Sequence, residues 1–255
     1  MRCCGDERRG SLPGAARGRA TLAGVDADVA ASWDAEYAAG RYARDVPVGF
    51  VRDVLAAARQ RGLRRGLYAG CGNGRNLVPL VDAGLDLTGL DISQEAIAQL
   101  RQRRPDLGDR LITGDLGALP PSLRYELVVG IQVFQHGNRG TAHQHLAAAA
   151  GRVAPGGLLC VRVNATDTDV EHPHRRLDEQ AGDGSFTVRY QAGPKAGLDI
   201  HFFTAAELRA VVGAGFSEVL AARLHRTERT PPGRGHWAQW EAIWRRHPAA
   251  GQPVT

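Results

Sequence analysis

The 255-residue chain has a single lysine, a single methionine and few aromatic residues, which make up 6% of the total. No apolar run approaches the ~20 residues that a helix needs to cross a bilayer, so the sequence predicts no membrane-spanning segment and no membrane partner. The N-terminal segment is rich in arginine and lacks the apolar stretch of a secretory signal peptide. We therefore expect a soluble, cytoplasmic protein.

Cysteine is also scarce, and the four cysteines have neither the paired spacing of a zinc site nor that of a disulfide framework. We expect them to be reduced thiols. They are Cys3, Cys4, Cys71 and Cys160.

Basic residues are plentiful even though lysine is not, and the formal net charge is +5. Such a surplus can indicate a nucleic-acid partner. However, residues 1–24 hold five arginines against two acids and thus carry three of the five excess charges. The preference for arginine, alanine and glycine is typical of a GC-rich genome, and no basic stripe is interleaved with aromatic residues. We therefore expect no nucleic-acid partner.

With 43% hydrophobic and 23% charged residues, the chain has the composition of one globular domain. We expect residues 1–28 to be a disordered leader and residues 29–255 to form the domain. From about residue 66, short apolar segments alternate with helical ones, which predicts an α/β fold with a parallel sheet covered on both faces.

The polar segment 165–200 is too long for a plain loop in a compact domain. We expect it to be an insertion that shapes a substrate pocket, with a hairpin around Thr187–Tyr190 and Leu198–Phe202. A second antiparallel hairpin, Glu218–His225 with Trp237–Trp244, is predicted to complete the main sheet.

A glycine-rich loop, Gly66-Leu-Tyr-Ala-Gly-Cys-Gly-Asn-Gly-Arg-Asn76, follows the first predicted strand. Gly70, Gly72 and Gly74 allow the backbone to turn sharply and to approach a ligand closely. The helix behind the loop offers free N–H groups and the positive end of its dipole. Arg75 stands where a dinucleotide-binding fingerprint has its third glycine, which disfavours a dehydrogenase.

Two acidic residues end the next two predicted strands. Asp91 is placed to accept hydrogen bonds from the vicinal hydroxyls of a ribose, and Asp115 to read an adenine edge. Because the carboxyl ends of neighbouring parallel strands lie at one edge of a sheet, the loop and the two acids together predict a nucleoside site there.

With these features the chain resembles the class I S-adenosylmethionine-dependent methyltransferases, in particular small-molecule tailoring enzymes of the actinobacterial type, over roughly residues 33–246. Further segments that carry the resemblance are Trp33-Asp34-Ala-Glu-Tyr37, Gln135-His136-Gly137 and Ala154-Pro155-Gly156-Gly157. The resemblance implies a Rossmann-like, doubly wound sheet of seven strands in the order 3-2-1-4-5-7-6, with the last strand antiparallel.

The resemblance also implies S-adenosylmethionine as cofactor, with S-adenosylhomocysteine as product. The residues it implies as cofactor contacts are Gly70, Gly72, Gly74, Asp91, Ile92, Asp115, Leu116, Gln132, Tyr37 and Tyr42. One position departs from the family pattern: Tyr68 stands where an acidic residue usually precedes the first loop glycine, so the contacts to the methionine end must come from elsewhere or through water.

Methyl transfer mainly requires alignment of donor and acceptor, and a general base contributes when the acceptor must lose a proton. His136 and His201 are the candidates for that base, with a structural role as the alternative for each. Asn164, Tyr190 and Trp33 are predicted to bind the acceptor. Trp33, with Tyr37 and Tyr42, is expected to form an aromatic lid or, equally, a hydrophobic staple for the helix that follows.

The acids and histidines between Asp167 and His174 match no metal-ligand spacing, and we expect no metal. The leading prediction is methyl transfer to an oxygen or nitrogen of a small molecule, a secondary metabolite, by a monomer or homodimer. Two alternatives stay open: a methyltransferase for tRNA or protein, and a catalytically silent nucleoside-binding module. The Asn/Asp-Pro-Pro-aromatic box of enzymes that methylate base amino groups is absent from the segment after the fourth strand.

Overall fold

The computed structural model describes residues 27–177 and 182–249. Two sheets and a set of helices make up this part of the chain. The strands are β1 (Arg65–Ala69), β2 (Asp86–Asp91), β3 (Leu111–Thr113), β4 (Tyr125–Ile131), β5 (Val153–Asn164), β6 (His174–Arg176), β7 (Phe186–Tyr190), β8 (Asp199–Phe202), β9 (Phe216–Glu228) and β10 (His236–Arg246). The helices are α1 (Ala27–Ala38), α2 (Phe50–Gln60), α3 (Leu77–Asp82), α4 (Gln94–Arg103), α5 (Arg139–Gly151) and α6 (Ala205–Val212), with short 3-10 helices at Pro105–Arg110 and Leu116–Ala118.

The larger sheet has seven strands in the order β3-β2-β1-β4-β5-β10-β9. The first five are parallel, and β10 runs antiparallel between β5 and β9. Since β9 and β10 are the sixth and seventh strands of this sheet along the chain, the predicted order and the antiparallel last strand are confirmed. The carboxyl ends of the parallel strands therefore lie along one edge.

Helices cover both faces of this sheet, which explains why its central strands are apolar almost throughout. On one face, Phe50 of α2, Leu80 of α3 and Ile97 of α4 are fully buried in one cluster. On the other face, Leu146 of α5 and Leu208 of α6 are fully buried in a second cluster. The doubly wound prediction is thus confirmed.

Local sequence signals fix several element boundaries. Thr204 and Glu207 form the predicted capping box at the start of α6: the Thr204 hydroxyl accepts from the Glu207 N–H at 3.1 Å, and the Glu207 carboxylate accepts from the Thr204 N–H at 3.4 Å. The N-terminal boundary differs from the prediction, because Ala27 and Asp28 already belong to α1. Residues 1–26, the rest of the predicted leader, lie outside the described residues.

The segment 165–200 holds the second sheet, in which β6, β7 and β8 pair antiparallel in that order. The predicted hairpin is its β7–β8 pair, and β6 was not foreseen. This small sheet joins the segment after β4: the N–H of His201 donates to the carbonyl of Gln135 at 2.8 Å, and that of Gly137 to the carbonyl of Asp199 at 2.9 Å. The insertion therefore lies at the carboxyl edge of the main sheet.

None of the helices in the described part of the chain is long and apolar enough to cross a membrane.

Candidate active site

The glycine-rich loop connects β1 to α3 at the carboxyl edge. Gly70, Gly72 and Gly74 have φ values of +66°, +52° and +92°, a region that side chains strongly disfavour. A Cβ on Gly72 would collide with the hydroxyl of Tyr37, and one on Gly70 with the side chain of Val133. Gly70 and Gly72 are thus required for two reasons: their positive φ disfavours a side chain, and neighbouring side chains leave no room for a Cβ.

Asp91 ends β2 beside this loop. Its carboxylate accepts hydrogen bonds from the backbone N–H of Gly72, at 2.7 Å, and from that of Ser93, at 2.9 Å. The side chain is buried, and burial raises its pKa, while the two backbone hydrogen bonds lower it. The arrangement places a buried acid within reach of a ligand that lies on the loop.

Asp115 follows β3 at the same edge. Its carboxylate accepts from the N–H of Gly117 at 2.8 Å and so caps the short helix that begins at Leu116. The N–H of Gly114 donates to the carbonyl of Asp91 at 2.8 Å, which joins the ends of β2 and β3. Ile92 and Leu116 are half-buried next to these two acids.

Helix α1 is held over the loop by contacts that the sequence analysis did not predict. The carboxylate of Asp34 accepts hydrogen bonds from the Ser93 hydroxyl at 2.6 Å and from the Glu95 N–H at 3.0 Å. The Gln99 side chain donates to the carbonyl of Tyr37 at 3.0 Å. Ser93 and Glu95 lie at the start of α4, directly after Asp91, and Gln99 lies one turn further along that helix. The sequence signal for these contacts is Asp34, the acid between the aromatic residues of Trp33-Asp34-Ala-Glu-Tyr37.

An aromatic cluster of Trp33, Tyr37, Tyr42 and His136 lies beside the glycine-rich loop, where the Tyr37 hydroxyl approaches Gly72. The centroids of the Trp33 and His136 rings are 5.0 Å apart in an edge-to-face arrangement, and those of Tyr37 and Tyr42 are 5.3 Å apart. Trp33 contacts both tyrosines at 6.3 to 6.5 Å. These distances suit favourable aromatic pairs. The structure therefore brings together the three residues of the predicted lid with one of the two predicted bases.

The segment after β4 has an unusual backbone at Gln132, whose φ of +59° is rare for a residue with a side chain. Its N–H donates to the carbonyl of Arg162 at 2.7 Å, and its own carbonyl lies 3.2 Å from Nε2 of His136. The other ring nitrogen of His136, Nδ1, is buried and has no hydrogen-bond partner among the described residues. Since the Gln132 carbonyl only accepts, Nε2 carries the proton and Nδ1 keeps its lone pair.

His136 is held in its neutral form. Burial, and then the positive charge of Lys195, lower its pKa to about 3. Lys195 lies in the β7–β8 turn, where its carbonyl accepts from the N–H of Leu198 at 3.0 Å. Burial lowers the pKa of the Lys195 ammonium, and the charge of Glu36 on α1 raises it. The charge of Lys195 therefore acts on His136 from the β7–β8 turn.

The other predicted base, His201, does not join the aromatic cluster. Its ring is fully buried, with Nδ1 2.9 Å from the Thr187 hydroxyl and Nε2 3.2 Å from both oxygens of the Glu207 carboxylate. The position before the capped helix had suggested a site residue. In the fold, that position faces α5 and α6 instead.

The two remaining predicted acceptor contacts are buried. Tyr190 packs in the small sheet's own apolar cluster with Phe186 and Phe202, and its ring lies beside those of His172 and His174. Asn164 ends β5, where its carbonyl accepts from the N–H of Phe203 at 2.9 Å. Neither is part of the aromatic cluster.

Two residues flanking the glycine loop have structural roles. Tyr68, in the place of the usual acid, is 1% exposed, and burial raises its pKa while a hydrogen bond with Asn76 opposes the shift. Arg75, in the place of a third glycine, donates to the carbonyl of Val46 at 2.6 Å and pairs with Asp45 at 3.1 Å. It thereby holds the segment before α2 against the loop.

The acids and histidines of 167–174 do not converge on one point. Asp167 and Asp169 both pair with His236, at 3.0 and 2.8 Å. Hydrogen bonds from Arg226 and His236 lower the pKa of Asp167 to about 2. Within the described ranges, the side chains whose ligand atoms do gather closely enough for a metal ion are His143, His201 and Glu207.

The site and the fold together define a nucleoside-binding α/β enzyme. Residues 67–159 match the model of a methyltransferase domain family. A trans-aconitate 2-methyltransferase of Rhizobium meliloti (strain 1021) is 31% identical over 190 residues, which are 70% of this chain and 70% of that protein. The chain belongs to the class I S-adenosylmethionine-dependent methyltransferases.

Solved structures of similar fold come from the same class. The 1,6-didemethyltoxoflavin-N1-methyltransferase of Burkholderia thailandensis, bound to its substrate and S-adenosylhomocysteine, superposes with a TM-score of 0.57 at 20% identity, covering 88% of this chain and 94% of that one. The magnesium protoporphyrin IX methyltransferase of Synechocystis PCC 6803, with bound S-adenosylmethionine, gives a TM-score of 0.57 at 20% identity over 89% of this chain and 100% of that one.

The residues present fit S-adenosylmethionine, the cofactor of this family. The face of Gly72 that a Cβ would fill meets only the end of the Tyr37 side chain, which can swing away, and not backbone. The buried Asp91 carboxylate adjoins that face through its hydrogen bond to the Gly72 N–H. When bound, the cofactor supplies a methyl group on a positively charged sulfur. The protein is therefore a methyltransferase in which α1 lies over the glycine-rich loop.

Proposed function

We propose that this methyltransferase acts on an oxygen or nitrogen of a small acceptor molecule that carries a carboxylate. The observation that supports this most directly is the positive charge of Lys195 beside His136. Lys195 forms no ion pair among the described residues. Burial disfavours its charged form, and the charge of Glu36, which is itself paired with Arg41 at 2.9 Å, offsets this only in part. An anionic group on the acceptor would supply the missing partner. Secondary metabolites with a carboxylate are within this proposal.

On the cofactor side, we assign the ribose to Asp91 and Ile92 and the adenine to Asp115 and Leu116. Backbone groups of Gly70, Gly72 and Gly74 would hold the methionine end, with Gln132 opposite. Hydrogen bonds to a charged group such as the Asp91 carboxylate are the stronger class, and each contributes roughly 1.5–3 kcal/mol. Tyr37 and Tyr42 would close over the bound nucleoside and exclude water.

On the acceptor side, Trp33 and His136 form the wall nearest the crevice, and the β7–β8 turn brings Lys195 to its mouth. The enclosure by α1 and the small sheet favours a small molecule over a macromolecule. The relative's name gives trans-aconitate as its substrate, which is itself a carboxylate. Charge and enclosure thus support the same class of acceptor.

The role of His136 depends on the acceptor atom. A carboxylate oxygen has no proton to lose, so the histidine would orient it only. A hydroxyl or ammonium must lose a proton, and the unpartnered Nδ1 of neutral His136 is the group that can accept it. We propose His136 as the group that contacts the acceptor in either case.

The test is methyl transfer from radiolabelled S-adenosylmethionine to trans-aconitate and to its dimethyl esters, which keep one carboxylate as the methyl acceptor but lose the other two. We expect transfer to the acid and at least a tenfold lower kcat/KM for the ester, because the ester has no second carboxylate to pair with Lys195. Replacing Lys195 by methionine should raise the KM for the acid about tenfold without changing the KM for S-adenosylmethionine. Lys195→Arg, which keeps the charge, is the matched control.

A second assay supplies the enzyme and radiolabelled S-adenosylmethionine to a cell extract. If the label appears in tRNA or protein and not in low-molecular-mass products, the small-molecule proposal is wrong. Equal rates with the acid and the ester would contradict the proposal that a carboxylate on the acceptor is recognised. They would not contradict the proposal that the acceptor is a small molecule. Binding of S-adenosylhomocysteine without transfer to any acceptor would favour a silent nucleoside-binding module.

A further inference from the structure

A second cluster of polar side chains lies on the α5–α6 face of the domain, away from the glycine loop. His143 of α5 and His201 of β8 approach the same carboxylate, that of Glu207 on α6. Nε2 of His143 is 2.7 Å from Oε1, and Nε2 of His201 is 3.2 Å from both oxygens. The ligand atoms of the three residues all lie within 4.8 Å of one another.

We propose that His143, His201 and Glu207 form a binding site for a zinc-like divalent transition-metal ion, separate from the methyl-transfer site. Two imidazoles and one carboxylate are a donor set that Zn²⁺ takes, with bonds of about 2.0–2.2 Å. Around a tetrahedral ion such bonds put the ligand atoms roughly 3.4 Å apart. The two histidine–carboxylate separations are 2.7 and 3.2 Å and need only a small expansion to admit the ion. On binding, each histidine carries its proton on Nδ1 instead of Nε2, which frees Nε2 to bind the metal.

The surroundings orient the ligands as a metal site requires. Nδ1 of His201 is 2.9 Å from the hydroxyl of Thr187, so the second ring nitrogen is engaged and Nε2 points to the carboxylate. A partner of this kind on the remote nitrogen is almost universal for metal-ligating histidines. His201 is fully buried and Glu207 nearly so, which fixes two of the three ligands.

The electrostatics favour a cation. The Glu207 carboxylate also accepts from Arg139, with 2.8 Å between Nε and Oε1, and Arg139 contacts the carboxylate of Asp183 as well. Since Asp183 offsets the arginine, the cluster has one net negative charge when both histidines are neutral.

An ion can reach this cluster from solvent. A cleft of about 480 Å³ opens beside it, lined by His143, Glu207, Arg139 and Asp183 among others. The fourth coordination position would face this cleft and hold a water molecule or a small anion, as in zinc sites with three protein ligands.

The ion would connect three elements that are far apart in the sequence. His143 belongs to α5, His201 to β8 and Glu207 to α6. Through the hydrogen bond between the His201 N–H and the Gln135 carbonyl, β8 also holds the loop that carries His136. Bound metal would therefore stabilise the small sheet against the main domain.

The experiment uses the full chain, stripped of metal with a chelator, and titrates it with Co²⁺ followed by Zn²⁺. We expect one equivalent of Co²⁺ with the visible absorption of a low-coordinate site, displaced by Zn²⁺, and an unfolding temperature that rises with Zn²⁺ concentration. His143→Gln keeps a hydrogen-bond donor near Glu207 but removes the ligand, and should lose the absorption and at least tenfold in Zn²⁺ affinity. Thr187→Val, which removes the partner of His201, should weaken Zn²⁺ binding about 10–100-fold.

The matched control is His225→Ala, since His225 is exposed on β9 and belongs to no cluster. It should bind Co²⁺ like the wild type. Far-ultraviolet circular dichroism in chelator establishes that each variant is folded. If the wild type shows no Zn²⁺-dependent rise in unfolding temperature, or if His143→Gln binds as tightly as the wild type, the three residues are a hydrogen-bonded network only and the proposal is wrong.

Discussion

The backbone N–H of Gly72 donates a hydrogen bond to the carboxylate of Asp91, with 2.7 Å between the nitrogen and Oδ2. This bond connects the loop after β1 to the end of β2. It puts the carboxylate of Asp91 beside Gly72, the glycine of the loop that approaches the Tyr37 hydroxyl. The proposed nucleoside site thus rests on two groups, each of which orients the other.

Replacing Asp91 by alanine removes this bond and the proposed ribose acceptor. We expect the dissociation constant of S-adenosylhomocysteine, measured by calorimetry, to rise about 10–100-fold, which corresponds to one or two hydrogen bonds with a charged acceptor. Asp86→Ala is the matched control, because Asp86 begins the same strand and pairs with Arg65 and Arg110 at the surface. If Asp91→Ala binds S-adenosylhomocysteine as tightly as the wild type, Asp91 is not part of the binding site.

A side chain at position 72 would have two effects that can be measured separately: its Cβ would collide with Tyr37, and it would be strained by the positive φ. Gly72 and Gly62 both have positive φ, +52° and +64°, but a Cβ on Gly62 would meet nothing within 4 Å. Alanine at either position should cost about 1–2 kcal/mol of unfolding free energy. Only Gly72→Ala, whose Cβ would displace Tyr37, should also weaken S-adenosylhomocysteine binding at least tenfold. Urea denaturation and calorimetry on both variants measure the two effects, and equal affinities would contradict the close approach.

The sequence predicted the features that depend on local pattern. The glycine spacing, the acids that end β2 and β3 and the Thr204–Glu207 capping box are all readable over a few residues. The alternation of strand and helix predicted the parallel part of the main sheet. The order of its strands, however, was expected from the family resemblance.

Contacts between distant segments could not be predicted in this way. Helix α1 has no clear apolar stripe, and it is held by the hydrogen bonds of Asp34 to Ser93 and Glu95 at the start of α4. The charge of Lys195 acts on His136 because β8, which follows the β7–β8 turn, pairs with the segment after β4. His201 had the right sequence position for a site residue, but its side chain points to Glu207. Each of these outcomes is decided by tertiary packing.

A buried ion pair crosses the main sheet between β5 and β10. Nε of Arg162 is 3.0 Å from Oε1 of Glu241, and the two side chains are 5% and 2% exposed. Burial lowers the pKa of Arg162, and Glu241 opposes this shift. Glu241→Leu would leave a buried charge without its partner, and we expect it to lose about 3–5 kcal/mol of unfolding free energy.

The double variant Arg162→Met/Glu241→Leu should recover most of that loss, because no buried charge is left unpaired. Arg223, which also contacts Glu241, is exposed and keeps its pair with Asp53. As a surface control, Glu218→Leu breaks the exposed pair with Arg209 and should cost no more than about 1 kcal/mol. Denaturant titration of the four proteins gives the comparison. A double variant as unstable as Glu241→Leu would mean that packing, and not charge, sets the cost.

The lowered pKa of His136 predicts a pH dependence with a definite sign. The value of about 3 in the folded protein lies below the 6.5 of an unperturbed histidine, because burial and the charge of Lys195 disfavour the protonated ring. The unfolded chain therefore binds more protons than the folded one between these two values. Stability from this group is complete above pH 6.5 and is lost as the pH falls toward 3, with a slope of up to ~1.4 kcal/mol per pH unit.

His136→Gln has no titrating ring, so its unfolding free energy should depend less steeply on pH between 6.5 and about 4 than that of the wild type. The same property bears on activity: because His136 stays neutral at neutral pH, the acid limb of the kcat/KM profile should lie well below pH 6.5. Lys195→Met removes one of the two causes of the lowered pKa and should move that limb upward. Identical stability slopes in the wild type and His136→Gln, measured by urea denaturation at each pH, would show that the histidine is not held neutral by the fold.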